Sequence, residues 1–230
     1  SFFRFLIMAD YLEADPSELL ESPNIGLKLP EVLTVEEIDR IIATVDRSKA
    51  EGQRNRAILE TLYSCGLRVS ELVNLKLSDL YFDEGFIKVE GKGNKQRLIP
   101  ISPRAINEIK LYFTDRNQIE VKSGHEDFVF ISLRRGKRLS RIMIFHMIKE
   151  LAQQASITKN ISPHTFRHSF ATHLLEGGAN LRAIQCMLGH ESIATTEIYT
   201  HIDRNVLRSE IIEHHPRNIK YRKEKESLFH

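Results

Sequence analysis

Arg68 lies in Gly66-Leu67-Arg68-Val69-Ser70-Glu71-Leu72, at a junction between two apolar helical patterns. An arginine at such a junction can project past the packed helix end and offer a planar fork that matches two phosphate oxygens. Glu71 stands one turn on, placed to hold it; taken alone, the two read as an ordinary Arg–Glu pair on one helical face. Lys92 is the apex of Gly91-Lys92-Gly93-Asn94-Lys95. Flanking glycines let a tight turn approach a ligand, and the lysine would be a mobile cation or proton donor. Taken alone, it reads as an exposed turn. His164 and Arg167 follow Pro163, a residue suited to a first helical turn, so both stand at a helix N-terminus, which is a natural anion site. Three positions apart, they project from one face. His190 follows Leu188-Gly189, and Tyr199 lies in Thr195-Thr196-Glu197-Ile198-Tyr199-Thr200-His201. A lone helical tyrosine is ordinarily packed on a core, so Tyr199 takes its meaning from its company.

His164, His168 and His173 also raise the question of a metal site. Their spacing lacks a matching set of carboxylates or cysteines, so no metal is expected, and His168 and His173 read as packing or polar support.

The elements that must position these residues are legible from periodicity. Thr34 with Glu37 forms a capping box that opens a helix with Ile38, Ile41 and Ile42 as its buried stripe. A second helix runs from about Gln53 to Tyr63 and stops at Gly66. Residues 80–101 change character. Leu80-Tyr81-Phe82, Phe86-Ile87-Lys88-Val89 and Arg97-Leu98-Ile99-Pro100-Ile101, joined by turns at Asp83-Glu84-Gly85 and Gly91-Lys92-Gly93-Asn94, predict a three-stranded antiparallel meander. Helices are predicted at 103–116, 139–155, 163–175, 180–188, 192–199 and 203–212, with a short strand at Phe128-Val129-Phe130-Ile131. The helix at 203–212 carries Val206, Leu207, Ile211 and Ile212, an apolar face suited to packing on its own domain or on a neighbour.

Composition sets the outer bounds. With 41% hydrophobic and 28% charged residues over 230 positions, the chain can bury a sizeable core and falls in the globular class. No stretch is apolar for long enough to cross a bilayer, and the opening residues lack the basic start of a signal peptide. Cys65 and Cys186 sit in apolar helical contexts and read as interior thiols of a cytosolic protein. The net charge of +2 does not announce a nucleic-acid binder, but the bases are clustered. Arg134, Arg135, Lys137, Arg138 and Arg141 form one group, Lys88, Lys92, Lys95, Arg97 and Arg104 a second, and the tail from Arg217 to Lys225 a third. Such clustering suggests an electropositive face that would contact phosphates; separate solvated surfaces are the alternative.

In order along the chain, Arg68 in GLRVSEL, Lys92 in GKGNKQR, His164 and Arg167 in HTFRHSFATHL, His190 in LGH and Tyr199 in TTEIYTH resemble the signature of the tyrosine site-specific recombinases of the phage-integrase family. The wording is most similar to that of the bacterial Xer recombinases, and the resemblance runs from about residue 30 to His214-His215-Pro216. It implies an α+β fold, mainly α-helical with a small three-stranded antiparallel sheet, the integrase catalytic fold. It also implies a division of the chain. Residues 1–14 would be the C-terminal remnant of an N-terminal core-binding (SAM-like) DNA-binding domain, 15–31 an interdomain linker, and 32–230 the catalytic domain with its tail.

The resemblance further implies a chemistry. Tyr199 would attack the scissile phosphorus and become joined to the DNA 3′ end, releasing a 5′-hydroxyl. His164 would help accept the phenolic proton, Arg68 and Arg167 would clamp the non-bridging oxygens, His190 would add a hydrogen bond, and Lys92 would protonate the leaving oxygen. Glu71 would orient Arg68. No metal, nucleotide or other cofactor is implied. The partners implied are a double-stranded DNA recombination site and homologous recombinase protomers, four of them on two paired sites exchanging strands through a Holliday junction, with no membrane. Two alternatives stay open at this stage: a phage or mobile-element integrase with the same chemistry, and a non-catalytic DNA-binding homologue.

Overall fold

The computed structural model describes residue 11, residues 31–189 and residues 204–226. The helical remnant expected at 1–14, most of the expected linker and the helix expected at 192–199 therefore lie outside the described residues. From Glu31 onward the chain forms a unit of its own.

The first described helix, α1 (Val35–Ala43), begins as its sequence requires. Thr34 Oγ1 accepts from the Glu37 N–H, and the Glu37 carboxylate accepts from the Thr34 N–H at 2.8 Å. Ile38, Ile41 and Ile42 are buried. Helix α2 (Gly52–Cys65) is buried on every side over most of its length and is the central post of the domain. It packs chiefly on α4 (Pro103–Arg116) and α6 (Pro163–Glu176); the short α3 (Val69–Asn74) precedes α4 in the chain, and α5 (Arg141–Gln154) lies between α4 and α6. Tyr63, Tyr112, Phe130, Phe166 and Phe170 are the largest fully buried side chains. Each such ring removes on the order of 150–250 Å² from water, so these five anchor the core.

The meander forms as predicted. Strands β1 (Leu80–Tyr81), β2 (Phe86–Glu90) and β3 (Gln96–Pro100) pair antiparallel in the order β1-β2-β3, with Ile87 opposite Ile99 and Val89 opposite Arg97. Helices α7 (Leu181–Leu188) and α8 (Arg204–His214) lie against β3. The mixed fold, mainly helical with one small sheet, is the expected one.

One expectation needs correction. Phe128–Ile131 is no ladder strand; it bends at Val129 and Phe130 and makes isolated bridges from Phe128 to Lys76 and from Ile131 to Arg138. Its backbone is satisfied largely by side chains. The Arg116 guanidinium donates to the carbonyls of Glu126, Phe128 and Val129, and Tyr112 Oη accepts from the Ile131 N–H at 3.1 Å. The tail, read from the sequence as a cluster of bases, forms helix α9 (Pro216–Glu226). It docks through polar groups: Arg217, buried, donates to both Glu60 oxygens and to Asp39, while Lys220 reaches Asp39 at 2.8 Å. The preceding helix settles its apolar face on this same domain, with Leu207 and Ile211 buried and Val206 and Ile212 exposed. Among the described residues no helix is long and apolar enough to cross a membrane, and Cys65 and Cys186 are both free thiols.

Candidate active site

Helix α2 ends at Gly66 in the left-handed conformation, φ +58°, which reverses the chain so that Arg68 becomes the N-cap of α3. Glu71, at the third position of α3, accepts from the Arg68 backbone N–H at 2.8 Å and from Arg68 Nη1 at 3.0 Å. The expected Arg–Glu pair is therefore present, and it is not a surface pair: the Glu71 side chain is 1% exposed. A second cation explains how a carboxylate tolerates that burial. Arg97, from β3, donates Nη1 and Nη2 to the two Glu71 oxygens at 2.8 and 3.0 Å, and its Nε to the Met187 carbonyl at 2.9 Å. Burial alone would raise the Glu71 pKa; the Arg97 fork and then Arg68 outweigh it and hold the carboxyl below its usual range.

Arg167 projects from the first turns of α6 into the same place and is buried. Nη1 donates to the Gly66 carbonyl at 2.7 Å and Nη2 to the Leu188 carbonyl. Its acceptors are carbonyls, and among the described residues no carboxylate pairs with it. Burial, and then the nearby charge of Arg68, pushes its pKa down to about 10. It remains protonated at neutral pH. Arg68 completes the junction, its Nη2 lying 3.4 Å from the Gly189 carbonyl. Among the described residues three guanidiniums gather here with one carboxylate, Arg68 and Arg97 bonding Glu71 and Arg167 standing beside them, an excess of two positive charges. Such a group suits an anion.

His164 is exposed on the first turn of α6, one turn before Arg167, with Ser162 as N-cap and Pro163 as first residue. It shares the helix N-terminus with the arginine, as its spacing predicted. Lys92 is placed by its backbone, in a tight turn at Lys92–Asn94 joining β2 to β3. The base of that hairpin abuts the charged group: a Cβ on Gly91 would stand 3.4 Å from Arg97 Nη1 and 3.8 Å from Glu71 Oε1. His190 and Tyr199 lie outside the described residues. Gly189, immediately before His190, is left-handed at φ +63° and receives the Arg68 contact. The three histidines weighed as metal ligands are not gathered. His164 and His168 are exposed, whereas His173 is buried with Nδ1 2.7 Å from Tyr63 Oη, the polar support expected of it.

Arg97 is the functional residue that sequence reasoning missed. It stood among the bases of a presumed surface cluster. The signal was its register: with a period of two, Arg97 shares a face of β3 with buried Ile99. An arginine on the inward face of a strand requires a buried acceptor.

Comparison with known proteins agrees with this geometry. The chain matches the Phage integrase family over residues 31–205. It is 45% identical over 218 residues to the tyrosine recombinase XerD of Staphylococcus saprophyticus, covering 94% of this chain and 73% of that protein. It is similar in structure to the XerA recombinase, with a TM-score of 0.65 at 34% identity, covering 92% of this chain and 72% of that one. The XerH site-specific recombinase, solved bound to its difH substrate in a pre-cleavage complex, aligns with a TM-score of 0.63 at 29% identity, over 76% of this chain and 51% of that one. A match of this identity and length, on a mainly helical scaffold with one small antiparallel sheet, places the chain in the phage integrase family, as a Xer-like tyrosine recombinase.

Proposed function

We propose that residues 32–230 form the catalytic domain and cleave and rejoin DNA through a 3′-phosphotyrosyl intermediate. The observation that carries this reading is the convergence of Arg68 and Arg167 at Gly66, Leu188 and Gly189 with an excess of two positive charges. In the reaction the Tyr199 oxygen bonds to the scissile phosphorus and the bond to the 5′ oxygen breaks. The phenol, with a reference pKa of about 10, passes its proton toward His164. Arg68, Arg167 and His190 hold the non-bridging oxygens as negative charge grows on them. Lys92 protonates the departing 5′ oxygen. Rejoining is the reverse reaction with a new 5′-hydroxyl, and the phosphotyrosyl bond conserves the energy of the broken one. Charge stabilisation comes from the arginines and the lysine, so the step involves neither a metal ion nor a nucleotide.

The partners follow from the same reading: a double-stranded recombination site and homologous protomers, four on two paired sites. A DNA substrate, with no membrane-spanning helix among the described residues, supports a cytoplasmic reaction. The test is to incubate the protein with genomic DNA fragments of its host in excess EDTA, denature, and sequence the fragments that stay covalently attached. Attachment at one discrete site, through the DNA 3′ end, is expected. Absence of adduct, attachment through 5′ ends, or adduct only on adding zinc or magnesium would contradict the proposal.

A further inference from the structure

Arg97 lies where three parts of the site meet. Its own strand carries it in from one side. Its two terminal nitrogens close on Glu71 of α3, at 2.8 and 3.0 Å, and its Nε on the Met187 carbonyl in the last turn of α7, at 2.9 Å. The two glycines beside it leave room for the guanidinium. A Cβ on Gly189 would stand 3.2 Å from Arg97 Cζ, and one on Gly91 would stand 3.4 Å from Nη1. One side chain, 15% exposed, therefore ties together the helix that begins at Arg68, the hairpin that carries Lys92 and the turn that leads into His190.

The hydrogen-bond pattern says what this accomplishes. A carboxylate beside a lone arginine draws both arms of the fork into a bidentate pair. Here the Arg97 fork occupies both Glu71 oxygens, so Arg68 gives Glu71 only Nη1 and its backbone N–H. Its Nη2 is left on a 3.4 Å contact to the Gly189 carbonyl, a long and readily exchanged bond. The Arg68 side chain is 35% exposed, unlike those of its neighbours. With every arm of its guanidinium engaged inside the protein, Arg97 is not placed to touch DNA.

Resting on the recombinase reading above, we infer that Arg97 is a positioning residue for the cleavage step: by saturating Glu71 it leaves the Arg68 fork free to take the scissile phosphate. Without it Glu71 captures Arg68, and the phosphate loses one arm of its clamp. The same displacement loosens Gly91 and Gly189, which adjoin Lys92 and His190.

The test uses Arg97→Lys, which keeps the charge but cannot hold two carboxylate oxygens and a carbonyl in one plane. Single-turnover cleavage is measured on a nicked suicide duplex bearing the site recovered above, with binding measured in parallel. Cleavage is expected to fall roughly 10- to 100-fold, the scale of an ångström-sized misplacement, with binding nearly unchanged. In an Arg68→Ala background the same substitution is expected to cost almost nothing, because the group it positions is gone. A scissile methylphosphonate, which carries no charge on its non-bridging positions, is expected to shrink the Arg97→Lys defect together with that of Arg68→Ala. Equal fold-losses in the two backgrounds, or a loss in binding that matches the loss in cleavage, would overturn the inference. Should Arg97→Lys fail to fold by circular dichroism, Glu71→Gln puts the same question, with the same dependence on Arg68 expected. If the unaltered protein forms no adduct, the recombinase reading fails first; if it does and the losses are additive, only the role of Arg97 fails.

Discussion

Gly66 packs its bare α-carbon against the ring of Phe170: a Cβ on Gly66 would stand 2.3 Å from Phe170 Cδ1. Phe170 lies one turn after Arg167 on α6, and the Gly66 carbonyl is itself an acceptor for Arg167. The end of α2 and the start of α6 are thus fitted to each other at the place where both arginines of the clamp emerge.

Gly66→Ala is therefore expected to strain the backbone and the packing together. A left-handed alanine costs about 1–2 kcal/mol and overpacking about 1–3 kcal/mol, so a loss of about 2–5 kcal/mol is expected in a denaturant titration. Cleavage measured where the variant is still folded is expected to fall as well, since the Arg167 acceptor moves. A midpoint like that of the unaltered protein would show that α6 can retreat from the turn, and that the two helix ends are not a fixed pair.

Burial of His215 gives the fold a pH dependence. Its ring is fully buried between Tyr63 and Phe170, with Nε2 3.2 Å from the Tyr63 carbonyl and Nδ1 accepting from the Arg217 N–H at 3.3 Å. Burial, opposed by the Tyr63 carbonyl and aided by the charges of Arg217 and His173, holds its pKa down to about 3. His173 is shifted down too, again by burial first. A histidine depressed in the folded state binds its proton more readily when unfolded. Its stabilisation is complete above the unfolded value near 6.5 and is lost as pH falls from there toward 3. Between pH 7.5 and 5 the loss from His215 is on the order of 2 kcal/mol, in a range where ordinary carboxylates titrate little. Unfolding midpoints of the protein and of His215→Gln across that range test this. The variant is expected to be less stable at pH 7.5 but distinctly flatter with pH; parallel curves would show that His215 is not the titrating group.

Much of this architecture was legible in the sequence, and what was missed has a common cause. The capping box at Thr34 and Glu37, the glycine stops at Gly66 and Gly189, and the meander with its turn at Lys92–Asn94 are local signals, written within a few residues of the structure they dictate. Arg97 and Arg217 act at long range. Arg217 meets Glu60 from 157 positions away, and Arg104 from the same presumed basic face is held by Glu60 as well. Counting Arg97, Arg104 and Arg217 as surface charge overstated the basic face; the group at Arg134, Arg135, Lys137, Arg138 and Arg141 is exposed, as read from the sequence. Helix α9 escaped notice because it docks through ion pairs and lacks the apolar stripe that periodicity detects.

Lys92 separates general-acid catalysis from simple charge stabilisation. A departing 5′-alkoxide is strongly basic and leaves poorly unless protonated, whereas a thiolate, with a thiol reference pKa of about 8.5, leaves without help. Lys92→Ala is expected to lose roughly 10²–10⁴ in cleavage rate on ordinary DNA, and to recover most of it on DNA with a bridging 5′-sulfur at the scissile position. Arg68→Ala and Arg167→Ala are expected to show no such rescue, because sulfur leaves the non-bridging oxygens unchanged. An equal defect of Lys92→Ala on both substrates would assign the proton to another group, Lys95 or a histidine.

Tyr199 is expected to act as the nucleophile on a phosphate held by Arg68 and Arg167. Tyr199→Phe removes one oxygen and leaves the ring, so folding and DNA binding are expected to persist. On a nicked suicide duplex, denaturing electrophoresis is expected to show covalent protein–DNA adduct for the unaltered protein and none for the variant. Adduct of undiminished yield from Tyr199→Phe would contradict the account outright.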